Sequence, residues 1–282
     1  MYYNKKYFRV LALLLVITGI IMLVCCVSTN DSSIATKRYY AKEQTPKATV
    51  KIAVDYPISG SSKSLANIQA QIISVLENCS TEKYDPQKPK TLITQTAQNK
   101  YYQITHTDNT SKVAPTYRSE YLESITKHAE SENFITFAHQ IYTYEGGAHG
   151  LTMTEMLTYR KSDGKRINSS ILRANLPSEF KKLLAQGIRA YFSSFGEDLS
   201  IFSEFDINDM PLPENNPFLT NDGIGFVYSQ YEIAPYASGE PAFIIPYQLI
   251  LPYLTEETAN LIIQSDSMSK ITPFSPENPW QK

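Results

Sequence analysis

An α+β fold, mainly antiparallel sheet with a few packed helices in two subdomains, is predicted by three features of this sequence. Strand-like segments outnumber helical ones, strands and helices do not alternate regularly, and turn signals recur between the apolar runs. The chain has 282 residues, 42% of them hydrophobic and 12% aromatic, which is enough for one large or two small domains.

The first segment stands apart from the fold. Lys5, Lys6 and Arg9 form a basic head, an apolar run follows from Val10 to Val24, and no acidic residue occurs before Asp31. This pattern predicts a secretory signal peptide over residues 1–25. An uncleaved membrane anchor also fits, because the run extends through Cys25, Cys26 and Val27. Leu23-Val24-Cys25-Cys26 resembles the lipobox of bacterial lipoproteins, with Leu three places before the lipidated Cys. Cys25 stands where that motif usually has Gly, Ala or Ser. The resemblance implies lipid on Cys26 and attachment to a membrane of the cell envelope, with the folded part extracytoplasmic.

Residues 26–47 are rich in Ser, Thr, Lys and Gln without apolar periodicity, which predicts a tether. Thr49 to Val54 alternates like a half-buried strand, and Ser64 is positioned to cap a helix carrying Leu65, Ile68, Ile72 and Leu76. Lys100 to Tyr144 looks strand-like throughout, with a hairpin formed by 117–127 and 134–144. A second hairpin turns at Ser162-Asp163-Gly164, and Ser178 opens the clearest helix, with Phe180, Leu183, Leu184, Ile188 and Tyr191 on one stripe. Another turn falls at Thr220-Asn221-Asp222-Gly223, a strand follows over 225–231, and Phe243 to Pro246 closes the sheet. The expected division is an N-terminal α+β subdomain over 48–160 and a C-terminal subdomain over 161–282.

Composition excludes several functions. With 26 basic and 28 acidic residues the net charge is −2, which offers nothing to draw in nucleic acid. Cleavage before Cys26 would remove Lys5, Lys6 and Arg9 and leave 23 basic residues against 28 acidic, a charge of −5. Three Cys are too few for a disulfide scaffold, and Cys79 reads as a small buried apolar side chain. The four His, at 106, 128, 139 and 149, lack the spacing of a metal site, so neither metal nor other cofactor is expected.

Two motifs concentrate unusual chemistry. Tyr142-Thr143-Tyr144-Glu145-Gly146-Gly147-Ala148-His149-Gly150 holds three of the eleven glycines, and its alternation places Tyr142 and Tyr144 on one face of a strand. Tyr231-Glu232-Ile233-Ala234-Pro235-Tyr236-Ala237-Ser238-Gly239 has the Pro and Gly of a structured loop. Together the two motifs resemble the PdaC/RsiV-like extracytoplasmic module, over residues 48 to 255. Members of that family include an anti-sigma factor whose outer domain binds lysozyme and an accessory region ahead of a peptidoglycan deacetylase. Only nine residues precede the apolar run, too few for a sigma-binding domain, and the His-x-x-x-His pair of the deacetylase is missing.

The resemblance therefore implies a binding module alone, with a lysozyme-like protein or peptidoglycan as ligand. Its candidate binding residues are Tyr142, Tyr144, Glu145, Gly146, Gly147, His149, Tyr231, Glu232 and Tyr236. The residues themselves are compatible with this: twenty Tyr and twelve Phe supply rigid, amphipathic contact area. They contain no Gly-x-Ser-x-Gly elbow, His-Glu-x-x-His or phosphate-binding Gly loop, so no catalytic residue is expected. Two alternatives stay open. One is a structural or accessory envelope lipoprotein without a specific ligand. The other is a hydrolase using His149 with Glu145 or Glu232 as base and orienter.

Overall fold

The computed structural model describes residues 33–60, 62–76, 85–106, 117–196, 206–262, 270–276 and 279–280. The expected signal peptide, Cys26 and Cys79 lie outside the described residues. Among those described, no helix is long and apolar enough to cross a membrane.

The first half is a five-stranded sheet in the order β1-β2-β3-β4-β5. Its strands are β1 (Thr36–Gln44), β2 (Ala48–Pro57), β3 (Ser119–Glu130), β4 (Phe134–Tyr144) and β5 (Leu151–Arg160). All neighbours pair antiparallel except β2 and β3, which are parallel and joined through helices α1 (Ser62–Val75) and α2 (Pro89–His106). Alternate residues Val50, Ile52, Val54 and Tyr56 of β2 are buried with Tyr121, Ile125, Ile135, Phe137, Leu157 and Tyr159. Ile68, Ile72 and Ile73 of α1, with Leu92, Ile93 and Ala97 of α2, close that core.

Three expectations are corrected here. The segment read as a tether, 26–47, contains β1. Ala41 alone of this strand is buried, so its charged, solvent-facing composition is that of an edge strand and imitates a linker. Just before β1, Ile34 is buried and its N–H donates to Glu130 Oε1 at 2.6 Å. Second, residues 100–106 are the end of α2 and not a strand. Packing of Leu92, Ile93 and Ala97 overrides the β-prone Tyr101-Tyr102-Gln103-Ile104-Thr105, and Thr96 and Thr105 return their hydroxyls to carbonyls one turn back. Third, Ser64 lies inside α1, buried, and is not its cap.

The second half places α3 (Ser178–Ser194) against a four-stranded antiparallel sheet, order β6-β7-β8-β9. These strands are β6 (Phe218–Leu219), β7 (Gly223–Val227), β8 (Ala242–Pro246) and β9 (Thr272–Pro273). The apolar stripe of α3 buries Phe180, Leu184, Ile188 and Phe192 against Ile224, Phe226, Phe243 and Ile245. β7 ends at Val227, four residues before the expected end of that strand, and β8 does not close the sheet because β9 pairs with it.

The two halves form one compact unit from Ser33 onward. Ala138 and Met156 of the large sheet pack on Phe218, Val227 and Ala242 of the small one. Polar groups complete the seam: Thr136 Oγ1 donates to Leu219 O at 2.8 Å, and Asn168 Nδ2 donates to both Met156 O and Pro217 O at 2.9 Å. The seam thereby sets the end of β4 beside the loop between β7 and β8, which is where the two sequence motifs lie.

Candidate binding surface

The β7–β8 connection, residues 228–241, crosses the outer edge of β5. That edge would otherwise present a row of open backbone groups, and side chains from the second half occupy them. Gln230 Oε1 accepts from Thr152 N at 2.8 Å. Glu240 Oε1 accepts from Thr154 N at 2.9 Å, and its Oε2 accepts from Thr154 Oγ1 at 2.6 Å. Asn168 Oδ1 accepts from Thr158 N at 2.8 Å. Burial pushes the Glu240 carboxyl up, against the lowering effect of its two bonds to Thr154.

Anchored at both ends, the connection carries Tyr231 and Tyr236 onto the loop after β4. Tyr236 stacks on His149, with ring centroids 3.6 Å apart and planes at 15°. Tyr231 OH meets His149 Nε2 at 3.3 Å, and its ring lies 5.8 Å from that of Tyr236. His149 Nδ1 is 3.1 Å from Gly150 O. A carbonyl oxygen can only accept, so Nδ1 carries a proton, and in the neutral ring Nε2 accepts from the Tyr231 hydroxyl. Tyr231 is 57% exposed and has φ of +68°, the one described non-glycine residue with positive φ.

Two of the three glycines of the first motif are required by close neighbours. Gly146, with φ of +95°, has the Tyr117 ring so near that an added Cβ would fall 2.4 Å from it. At Gly150 a Cβ would lie 2.5 Å from Thr143 O and from the Tyr142 ring. Tyr144 OH donates to Gly147 O at 3.1 Å, and Tyr117 meets the Tyr144 ring edge-on at 6.1 Å. The Tyr142 phenol is pushed up by burial, then by Glu120, Tyr236 and Tyr144, so its hydroxyl stays protonated.

Of the nine candidate residues, Tyr142, Tyr144, Gly146, Gly147, His149, Tyr231 and Tyr236 thus sit on one surface. Glu145 is exposed and makes no hydrogen bond or ion pair among the described residues. Glu232 serves its own loop, accepting from Ser229 N at 2.7 Å and from Glu214 N at 2.8 Å. Neither carboxylate is bonded to His149. Sequence reasoning missed Tyr117, Gln230 and Glu240. No group of three or more His, Cys, Asp or Glu able to hold a metal occurs among the described residues.

Comparison with known proteins agrees with this architecture. Residues 169–248 match a family described as a protein of unknown function, DUF3298. The match covers α3, β6 to β8 and the Tyr231–Gly239 loop, but not the first motif. No curated protein matches the chain. The crystal structure of a DUF3298 family member from Bacteroides fragilis NCTC 9343 superposes with a TM-score of 0.59 at 18% identity, covering 80% of this chain and 96% of that one. That of a DUF3298 family protein from Pseudomonas aeruginosa PAO1 gives 0.58 at 16% identity, covering 83% and 99%. The fold is therefore one that crystallised DUF3298 proteins share, and residues 169–248 carry the sequence pattern of that family.

Proposed function

We propose that this chain is a non-enzymatic binding module of the bacterial cell envelope, tethered by lipid on Cys26, whose aromatic surface takes a basic, lysozyme-like protein. One observation carries the reading. Two motifs from different halves of the chain converge into a stack of His149, Tyr231 and Tyr236 that serves no core and leaves Tyr231 largely exposed. Rigid aromatic side chains with polar tips are the residues that dominate protein interfaces. Holding one at positive φ costs about 1–2 kcal/mol, a strain that a purely structural loop has no reason to keep. The resemblance to the PdaC/RsiV-like module supports the partner class, and the DUF3298 match is consistent with it. A net charge of −2, or −5 after cleavage, favours encounter with a cationic protein. Commitment of Glu232 to backbone groups of its own loop favours binding over Glu/His hydrolysis.

Titration of the full chain, solubilised in detergent, against hen lysozyme tests the reading. Binding that weakens with salt, and weakens further on Tyr231→Ala, is expected. Absence of binding at low salt would leave the structural or accessory role. Mass spectrometry of the mature N-terminus tests the tether: a diacylated Cys26 is expected, and an intact Met1 would establish the uncleaved anchor instead.

A further inference from the structure

A cleft of about 280 Å³ opens between residues 168–176 and residues 212–217, the segment that leads into β6, and shares no residue with the aromatic stack. Buried Asn168 ties its two walls together, with Nδ2 donating to Pro217 O at 2.9 Å. The β7–β8 connection pins the second wall as well. Tyr228 OH donates to Pro211 O at 2.7 Å, and Asn215 Nδ2 donates to Ser229 Oγ at 3.1 Å. The cleft is therefore shaped before anything enters it, which lowers the cost of binding.

The first wall carries Arg173. Its backbone N–H donates to Tyr253 O at 3.0 Å and its Nε to Leu254 O at 2.8 Å, so main chain and side chain are both held. Arg38, Arg160 and Arg166 each pair with a carboxylate. Arg173 makes no ion pair among the described residues, and its Nη1 and Nη2 have no partner there. The Ser169 hydroxyl and, on the facing wall, the Asn216 amide are likewise without partners among the described residues, and all three side chains are exposed. No carboxylate lines the cleft, and Leu172, Leu176, Leu212 and Pro213 make its remaining surface largely aliphatic. A fork of two N–H groups matches the two oxygens of a carboxylate, and aliphatic walls match an apolar group beside it.

We infer that this cleft binds an α-carboxylate next to a branched aliphatic side chain, with Arg173 on the carboxylate, Asn216 on the adjoining amide and the leucines around the side chain. That chemistry occurs at the end of a peptide chain and on a free acylated amino acid. The test is calorimetric titration of the full chain, in a non-ionic detergent, with N-acetyl-leucine, N-acetyl-glycine, N-acetyl-leucine amide and N-acetyl-alanyl-alanyl-leucine. N-acetyl-leucine is expected to bind. The glycine compound lacks the side chain and the amide lacks the charge, so each should bind about tenfold or more weakly. Tighter binding of the tripeptide assigns the cleft to chain ends, and equal or weaker binding assigns it to free acylated amino acids. Arg173→Gln keeps a donor for Leu254 O and should lose N-acetyl-leucine about tenfold or more, with Arg173→Lys recovering only part. Leu212→Asp, at a position 41% exposed, should melt like the parent and repel the ligand, which keeps the test valid if Arg173→Gln does not fold. No binding of N-acetyl-leucine at about 10 mM, equal binding of its amide, or unchanged affinity in either Arg173→Gln or Leu212→Asp would overturn the inference. Neither variant touches the aromatic stack, so this titration and the lysozyme titration can fail independently.

Discussion

His149 and Tyr236 lie face to face at 3.6 Å, and this pair joins a loop of the large sheet to the connection between two strands of the small one. Both loops face solvent along much of their length. The stack gives each a partner, and the Tyr231 hydroxyl on His149 Nε2 completes the joint. His149→Ala should weaken that joint by roughly 0.5–1.5 kcal/mol, the worth of an aromatic pair, and lower partner affinity more than it lowers the melting temperature. His149→Phe should recover most of the stability but not the bond to Tyr231. Thermal melts beside lysozyme titrations of the two variants separate these effects.

Tyr231 combines strain with exposure. Replacing it by Gly removes the cost of its left-handed backbone, on the order of 1 kcal/mol, and little buried contact. Tyr231→Gly should therefore be at least as stable as the parent and bind its partner more weakly. Tyr231→Val, β-branched at positive φ, should be destabilised. A Gly variant that melts clearly lower would show that the ring supports the fold.

Gly150 and Gly147 belong to one motif but should respond differently. A Cβ at Gly150 would collide with Thr143 O and the Tyr142 ring, whereas Gly147 opens onto space and has only its φ of +94° to defend. Gly150→Ala should cost about 1–3 kcal/mol and displace Tyr142 from the surface. Gly147→Ala should cost about 1 kcal/mol. Equal losses in denaturant titrations would contradict the difference in their surroundings.

The parts of the fold legible in the sequence are those where local pattern and tertiary packing agree. The β3–β4 hairpin, the Asp163-Gly164 turn and α3 each combine a clear period with clear punctuation, and each was expected within a few residues. β1 was hidden because an edge strand needs only Ala41 inside and spends its other side chains on solvent. The later part of α2 was hidden because its buried stripe lies mainly in its first half, at Leu92, Ile93 and Ala97. Motif composition was enough to pick out the aromatic residues of the candidate surface. It could not reveal Gln230 and Glu240, whose role depends on β5 being an open edge, a fact of topology that no local spacing encodes.

Acid should weaken the turn after β5. Arg160 donates to both oxygens of Asp163, at 3.0 and 2.6 Å, and with Lys165 N holds that carboxyl down to about 2, below its ordinary value near 4. A lowered folded-state value means that the contribution is complete above the ordinary value and is lost as pH falls from about 4 towards 2. Glu130 acts in the same direction: burial raises it, but hydrogen bonds from Lys127, Lys161 and Ile34 N outweigh that. Asp163→Asn should lower the melting temperature at neutral pH and flatten its decline in acid. A decline as steep as that of the parent would exclude Asp163 as a source of acid lability.

Glu240 should work in the opposite direction. Its carboxyl is pushed up by burial, so ionisation is harder in the folded chain than in the unfolded one. Stability linked to it is complete below the ordinary carboxylate value and is lost as pH rises through the folded value. Glu240→Gln removes this titration and still offers an oxygen to Thr154 N and an amide to Thr154 Oγ1. The variant should match the parent at pH 4 and exceed it at pH 7, where the parent has ionised or has resisted ionisation at a cost. Glu240→Ala behaves differently, because on the edge of β5 it leaves the Thr154 N–H without its acceptor and the Thr154 hydroxyl with only the Gln140 amide. A loss of about 1–3 kcal/mol is expected at every pH. The exposed edge should also promote association, visible as a concentration-dependent increase in mass by light scattering. If the Gln variant kept the pH slope of the parent between 4 and 7, the buried carboxyl would not be the group that titrates.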